Sequence, residues 1–195
     1  MALHSELWFP SVIWSGMMHS VDNIDIAKFA YRRKKEDKGV VISNYGGWQS
    51  SSLTVSENLS VDYLIREILD TEVDNCRRQV GLPPLELYNI WININPPNSY
   101  NHLHNHVGAV FSGVYYVSAD ENQGNIQFER SDGAEYHLPL ENENLTYYNA
   151  TRSTYKAKTG GLYIFPGWLK HSVQGNATPK DRISISFNYG EKNEN

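Results

Sequence analysis

Residues 182–189 read RISISFNY, a segment in which polar and apolar side chains alternate without interruption. Successive side chains of a β-strand point to opposite faces, so the polar side chains share one face and the apolar side chains the other. The polar face consists of Arg182, Ser184, Ser186 and Asn188. On an outer face this composition is ordinary. On an inner face Arg182 is placed to bind a carboxylate with two parallel hydrogen bonds, and Ser184 adds a hydroxyl donor.

Seven further segments upstream show strand patterns and are separated by turns rich in Asn, Gly, Pro and Ser. They are Leu87–Asn95, Phe111–Ser118, Asn125–Glu129, Glu135–Leu138, Ser153–Ala157, Leu162–Phe165 and His171–Gln174. Eight short strands with such turns predict a mainly β fold, an antiparallel two-sheet jelly roll with helices packed against one outer face.

Two helical patterns precede the strands. The weaker pattern covers residues 22–37, and its apolar face consists of Ile24, Ala27 and Tyr31. The stronger one begins at Ser60, a residue type that favours the N-cap, and ends at Gly81. Its apolar stripe contains Val61, Leu64, Ile65, Ile68, Leu69, Val73, Cys76 and Val80. The apolar residues near the N-terminus predict a strand or extended arm that covers the core.

Length and composition predict one domain without nucleic-acid or membrane partners. In a chain of 195 residues, we expect residues 1–84 to supply N-terminal strands and supporting helices and residues 85–190 the jelly-roll core. The net charge of −5 gives no attraction to nucleic acid or an anionic membrane, and no stretch approaches 18 consecutive apolar residues. The lone cysteine, Cys76, favours a reducing compartment and hence the cytoplasm. The oligomeric state stays open, a homodimer included.

Residues 101–106 read NHLHNH and place three histidines at alternate positions. In an extended segment such side chains project to the same side, so a His-x-His pair can reach one metal ion. His171 follows 67 residues after His104, a gap that suits a late strand of the same barrel. Two ligands from one strand edge and one distant ligand form a three-ligand face that leaves other coordination positions open.

The sequence on both sides of the His-x-His pair is free of charged residues. Residues 87–119 are 33 consecutive positions without Asp, Glu, Lys or Arg. Weakly polar walls are what a metal pocket shielded from bulk water requires.

Several motifs taken in order resemble one family of enzymes. They are His104-x-His106, the segment Ser112–Val117, the segment Phe165–Val173 with Trp168 and His171, and Arg182-Ile183-Ser184. This set resembles the 2-oxoglutarate/iron(II) oxygenases known largely from bacteria and marine phages, and it is more distantly similar to the prolyl hydroxylases. The resemblance covers roughly residues 87–189, with further likeness at residues 7–10 and 46–50.

The resemblance implies a cupin-like double-stranded β-helix and a hydroxylase that needs Fe(II), 2-oxoglutarate and O2. His104 and His171 would be iron ligands, Arg182 would bind the far carboxylate of 2-oxoglutarate, and Tyr116 would hydrogen-bond that carboxylate. Tyr115, on the opposite face of the strand, is expected in the core. Succinate and CO2 would be released as a small-molecule or peptidyl substrate is hydroxylated. Candidate residues of the substrate pocket are Tyr100, His102, Asn93 and Trp168.

The chain departs from the family at one ligand. Related oxygenases have His-x-Asp or His-x-Glu where this chain has His104-Asn105-His106, and no carboxylate lies nearby in the sequence. We expect His106 to be the third ligand, because the pair then precedes the Tyr115–Tyr116 strand by the family's distance. In the alternative assignment, His102 and His104 form the ligand pair, and His106 lies next to the ligands without binding the metal.

Two other functions fit a three-histidine jelly roll. One is a cupin-type dioxygenase that acts without 2-oxoglutarate, and the other is a binding module without catalysis. The mechanism assigned here needs no protein acid or base, so no catalytic residue is expected beyond the metal ligands.

Overall fold

Two antiparallel sheets face each other in the computed structural model, which describes residues 3–6, 8–54, 56–137 and 144–192. The larger sheet has the strand order β1 (Trp14–Met17), β9 (Gly161–Pro166), β6 (Phe111–Ser118), β11 (Arg182–Glu191), β4 (Leu85–Asn95), β3 (Trp48–Gln49). The smaller sheet has the order β2 (Asn44–Tyr45), β5 (Tyr100–His104), β10 (His171–Val173), β7 (Ile126–Glu129), β8 (Arg152–Tyr155). This is the predicted jelly roll.

The helices pack on the outer face of the larger sheet, as predicted. Helix α1 spans Asn23–Glu36, and a second helical stretch consists of α2 (Leu59–Tyr63), a π-helical segment (Leu64–Leu69) and α3 (Asp70–Gln79). Their apolar side chains and the outward residues of the sheet, such as Ile92 and Ile185, form the larger hydrophobic core. A smaller core fills the space between the sheets around Phe128 and Phe165.

The predicted face of α1 was wrong for two of its three residues, since only Ala27 packs against the core. Ile24 is 70% exposed and Tyr31 is 43% exposed, whereas the buried residues are Ile26, Phe29 and Ala30. Both sets have helical spacing, and the packing of α1 against β6 decides which one is buried.

The second helical stretch begins two residues earlier than predicted. Asn58, and not Ser60, is the N-cap, because its Oδ1 accepts a hydrogen bond from the Val61 N–H at 2.9 Å. Most of the predicted stripe is buried, including Cys76, but its last member, Val80, is 43% exposed.

Seven of the eight predicted strands are present with small shifts of their ends. The prediction for 135–138 was wrong, since a 3-10 helix occupies Ala134–Tyr136 and Leu138 lies outside the described residues. Strands β2 and β3 lie in the N-terminal part that was expected to supply strands, but their bounds were not predicted, and β5 was not predicted as a strand. The first two have only two residues each, and β5 is irregular because its register with β10 shifts between His104 and Asn101.

Candidate metal and 2-oxoglutarate site

Three histidines meet between the sheets. His104 ends β5, His106 follows it by two residues, and His171 begins β10, where it lies opposite His104 in the pairing of the two strands. One ring nitrogen from each lies within 4.8 Å of the others. The ring centroids of His104 and His171 are 4.3 Å apart. A spacing of this kind suits three nitrogen ligands around one metal ion.

Hydrogen bonds fix the orientation of two of the rings. His104 Nδ1 lies 2.6 Å from the His102 carbonyl oxygen, and His171 Nδ1 lies 3.0 Å from the Leu169 carbonyl oxygen. A carbonyl oxygen only accepts, so each Nδ1 carries the proton and each Nε2 keeps its lone pair for a metal.

All three imidazoles are in the form that binds metal. Burial lowers the pKa of His171 to about 3 and that of His106 to about 4, and it also lowers the pKa of His104. The rings are therefore uncharged at neutral pH, and no proton must leave before a metal binds.

Arg182 lies in the same cavity and is 1% exposed. Its Nη1 donates hydrogen bonds to the carbonyl oxygens of Gln123, Gly124 and Gln174, and no carboxylate of the described residues pairs with it. A buried cation normally has an anionic partner. The Arg182 site is therefore suited to an anionic ligand.

Tyr116 also lines the cavity, and its hydroxyl is buried without a hydrogen-bond partner among the described residues. Burial raises the pKa of Tyr116 to about 12, although the Arg182 charge acts in the opposite direction. The phenol thus keeps its proton and can donate a hydrogen bond to a carboxylate. Tyr115, as expected, lies on the opposite face in the core.

The cavity has one ionised group, Arg182, and it has no carboxylate among the described residues that line it. Its lining is Ser43, Trp91, Asn93, Asn95, Asn101, His104, His106, Gly113, Val114, Tyr116, Ile126, Phe165, His171, Val173, Arg182, Ser184 and Ser186. Three uncharged imidazoles, a guanidinium without a carboxylate partner among the described residues and a phenol without a hydrogen-bond partner among them are suited to a divalent metal together with a dicarboxylate.

The structure brings only some of the predicted residues to this cavity. Ser184 and Asn93 line it, whereas Tyr100, His102 and Trp168 do not. Tyr100 and His102 instead contact each other with ring centroids 4.9 Å apart, and Trp168 is 51% exposed. Strict alternation predicted that positions 100, 102 and 104 share a face.

A bulge in β5 breaks this alternation. His171 lies opposite His104 but Val173 lies opposite Asn101, so three steps along β5 match two along β10. An extra residue reverses the facing of every side chain beyond it. Asn101 therefore lines the cavity in place of its neighbours Tyr100 and His102.

Trp91 and Asn95 line the cavity and were missed. Trp91 lies beside His106 with ring centroids 5.7 Å apart, and Asn95 lies opposite Arg182 in the pairing of β4 with β11. Both share the face of Asn93 on β4, so the alternation within the predicted strand 87–95 was a signal that could have found them.

A family model described as "Putative 2OG-Fe(II) oxygenase" matches residues 89–188. The chain belongs to this family. It is an iron(II)- and 2-oxoglutarate-dependent oxygenase, and Fe(II), 2-oxoglutarate and O2 are its cofactors and cosubstrates. Membership argues against both other functions, the cupin-type dioxygenase without 2-oxoglutarate and the module without catalysis. No curated protein matches this 2OG-Fe(II) oxygenase by sequence.

Solved structures of similar fold include several enzymes. A prolyl-4-hydroxylase from Pseudomonas putida matches with a TM-score of 0.67 and 13% identity, over 94% of each chain. HygX from Streptomyces hygroscopicus, solved with nickel and 2-oxoglutarate, has a TM-score of 0.63 and 14% identity, over 93% of this chain and 84% of HygX. A Trichoplax adhaerens prolyl hydroxylase, solved with a peptide fragment, has a TM-score of 0.64 and 12% identity, over 92% and 82%. At these identities the likeness shows the fold.

None of the helices in the described ranges is both long and apolar enough to span a bilayer.

Proposed function

We propose that His104, His106 and His171 hold the iron of this oxygenase, and that Arg182 and Tyr116 bind the far carboxylate of 2-oxoglutarate. The observation that carries this proposal is the buried Arg182, which has no carboxylate partner among the described residues and shares a cavity with the three histidines. Ser184, 5% exposed on the same strand face as Arg182, is proposed as a further hydroxyl donor to the cosubstrate.

Bound iron(II) supplies the redox chemistry in which O2 and 2-oxoglutarate are consumed, succinate and CO2 are released and a substrate C–H bond is hydroxylated. The protein orients His104 and His171 through their carbonyl hydrogen bonds and keeps all three imidazoles uncharged by burial. Phe165, with its ring centroid 4.6 Å from that of His171, helps to exclude water. With no carboxylate in the described lining, we assign no general acid or base.

We also propose that Asn93 and Asn95 face the substrate. Asn93 donates one hydrogen bond to Ser186 Oγ at 3.0 Å, but its Oδ1 and the Asn95 Nδ2 are buried without partners among the described residues. 2-Oxoglutarate is an acceptor only and cannot satisfy Oδ1. A substrate amide has both a donor and an acceptor, which supports a peptidyl substrate or another uncharged amide.

Two coarser features belong to the same proposal. Strands β1 and β3 from the first 84 residues pair with β9 and β4 of the jelly roll, which supports one catalytic domain over residues 1–195. Cys76 is a buried free thiol, which supports a reducing compartment such as the cytoplasm.

The test is stoichiometric succinate formation. The protein is purified without oxygen, loaded with Fe(II), and supplied with 2-oxoglutarate, O2 and pools of capped peptides or of small metabolites. We expect succinate in the peptide pools, and its loss in Arg182→Met and in His171→Ala. Turnover that depends on metal but persists in Arg182→Met without succinate would indicate the cupin-type dioxygenase. Absence of bound metal in wild type would indicate the binding module.

A further inference from the structure

Among the described residues, only main-chain carbonyl groups hydrogen-bond to the Arg182 guanidinium. Its Nη1 donates to the carbonyl oxygens of Gln123 and Gly124, which precede β7, and to that of Gln174, which follows β10. The last two distances are 3.2 and 3.3 Å. None of the hydrogen bonds among the described residues uses Nη2 or Nε of Arg182. Carbonyl dipoles stabilise the charge without neutralising it, so the rest of the guanidinium can meet an anion.

Gly124 is the residue at which a side chain would destroy this arrangement. Its φ is +92°, and a Cβ built on it would lie 2.5 Å from Arg182 Nη1 and overlap the Gln174 carbonyl oxygen. Two separate constraints therefore meet at one position, the left-handed backbone and the absence of space. Any other L-residue there must move either the guanidinium or its carbonyl acceptor.

Gln123 holds the same turn from the other side. Its side chain is 2% exposed, its Oε1 accepts from the Asp120 N–H at 2.7 Å, and its Nε2 donates to the Lys180 carbonyl oxygen at 3.0 Å. The side chain thus ties the turn that supplies two of the carbonyls to the segment just before Arg182.

We propose that Gly124 and Gln123 are positioning residues for 2-oxoglutarate. Through the carbonyl oxygens of residues 123, 124 and 174, they determine which edge of the Arg182 guanidinium faces the cavity. This inference rests on the proposed role of Arg182 in binding the cosubstrate.

The first test compares Gly124→Ala with Gly81→Ala. Gly81 also has a left-handed backbone, with φ +73°, but a Cβ added to it at the end of α3 would meet no atom within 4 Å. Both variants bear a similar backbone penalty, and only Gly124→Ala meets Arg182. The Kd of 2-oxoglutarate is measured by calorimetry on Ni(II)-loaded protein. We expect Gly124→Ala to weaken binding about tenfold or more, since a charge-assisted hydrogen bond is at stake, and Gly81→Ala to leave it unchanged.

A double-mutant cycle then separates a positioning role from general damage. Arg182→Lys removes the planar fork of donors. In that background, Gly124→Ala should weaken 2-oxoglutarate binding by less than about threefold, because the two changes act through one group. Ni(II) affinity should stay within about twofold of wild type in every variant, since residues that do not share partners act independently.

Three outcomes would contradict the inference. The first is equal 2-oxoglutarate binding by Gly124→Ala and Gly81→Ala. The second is weakening by the same factor in both Arg182 backgrounds, and the third is a joint loss of Ni(II) and 2-oxoglutarate binding in Gly124→Ala. A different result, Arg182→Lys without effect on 2-oxoglutarate binding, would instead remove the proposed function on which the inference rests.

A second pair of variants leaves the backbone intact and serves even if Gly124→Ala does not fold. Gln123→Ala removes the side-chain hydrogen bonds of the turn, and Gln127→Ala removes one exposed bond to Thr154 on the neighbouring strand. We expect Gln123→Ala to weaken 2-oxoglutarate binding about threefold and Gln127→Ala to leave it unchanged. In the Arg182→Lys background, Gln123→Ala should have no effect. Unchanged binding in Gln123→Ala would contradict the inference.

Discussion

Replacing Tyr116 by phenylalanine should weaken 2-oxoglutarate binding while stabilising the protein without cosubstrate. The Tyr116 hydroxyl is buried, and it has no hydrogen-bond partner among the described residues. An unsatisfied buried polar group costs about 1–3 kcal/mol of folding free energy, and Phe removes that group without changing the ring. The free energy of unfolding of the unliganded protein should therefore rise by about 1 kcal/mol, which raises Tm by about 2–4 °C in a chain of this size.

Binding should change in the opposite direction. A hydrogen bond from the phenol to a carboxylate contributes about 1.5–3 kcal/mol, so Tyr116→Phe should raise the Kd of 2-oxoglutarate by about 10- to 150-fold. The phenol stays protonated through neutral pH because burial raises the pKa of Tyr116 to about 12. The loss should therefore be the same at pH 6 and pH 8.

Tyr115→Phe, at the preceding residue, is the matched control. The Tyr115 hydroxyl donates to Asn23 Oδ1 at 2.9 Å and joins β6 to α1. Its removal should lower the free energy of unfolding by about 1 kcal/mol and leave the Kd of 2-oxoglutarate unchanged. Urea denaturation and calorimetry on Ni(II)-loaded protein measure both quantities. A Tyr116→Phe variant that is less stable than wild type, or that binds 2-oxoglutarate as well, would refute the reasoning.

Three further predictions concern the metal, pH and the core. His171→Ala should abolish Co(II) binding, which is followed in the visible spectrum. His102→Ala should retain it, because His102 contacts the proposed ligand His104 through its main-chain carbonyl, which alanine also has. Hydrogen bonds from Gly39 and Ser51 lower the pKa of Asp37 in the folded protein. The ionised carboxylate therefore stabilises the fold at pH values above the pKa of the unfolded chain, near 4. This stabilisation is lost as the pH falls through the lower pKa of the folded protein. Asp37→Asn should thus cost about 1–3 kcal/mol at pH 7 by urea denaturation, and the cost should shrink as the pH is lowered from about 4. Leu69→Ala, at a fully buried position, should cost about 2–5 kcal/mol in the same assay, and a loss below 1 kcal/mol would contradict its place in the core.

The strand pattern and the order of the motifs were sufficient for the fold class. Alternation in residues 182–189 and 111–118 is a local property, because each side chain's face follows from its position along one strand. The same alternation placed Tyr115 in the core and Arg182 with Ser184 on one face, and the structure has both arrangements. That His104, His106 and His171 would come together was likewise predictable from their spacing in the sequence and the strand order of a jelly roll.

Choices between equivalent local patterns could not be made from the sequence. Helix α1 has two apolar stripes of helical spacing, and contact with β6 selects the one with Ile26 and Phe29. The bulge in β5 replaces Tyr100 by Asn101 in the cavity, and it exists only in the register of β5 with β10.

The sequence determined that the His104-x-His106 pair lies in a stretch without charged residues, and that an arginine begins the last strand of a β protein. The tertiary structure alone decided that three main-chain carbonyls hold Arg182, and that Asn93, Asn95 and Tyr116 each have a buried polar atom without a partner among the described residues. The physical reason is that a side chain's partners depend on strands distant in sequence. The sequence around residues 123, 124 and 174 does not indicate their contact with Arg182, which results only from the packing of the two sheets.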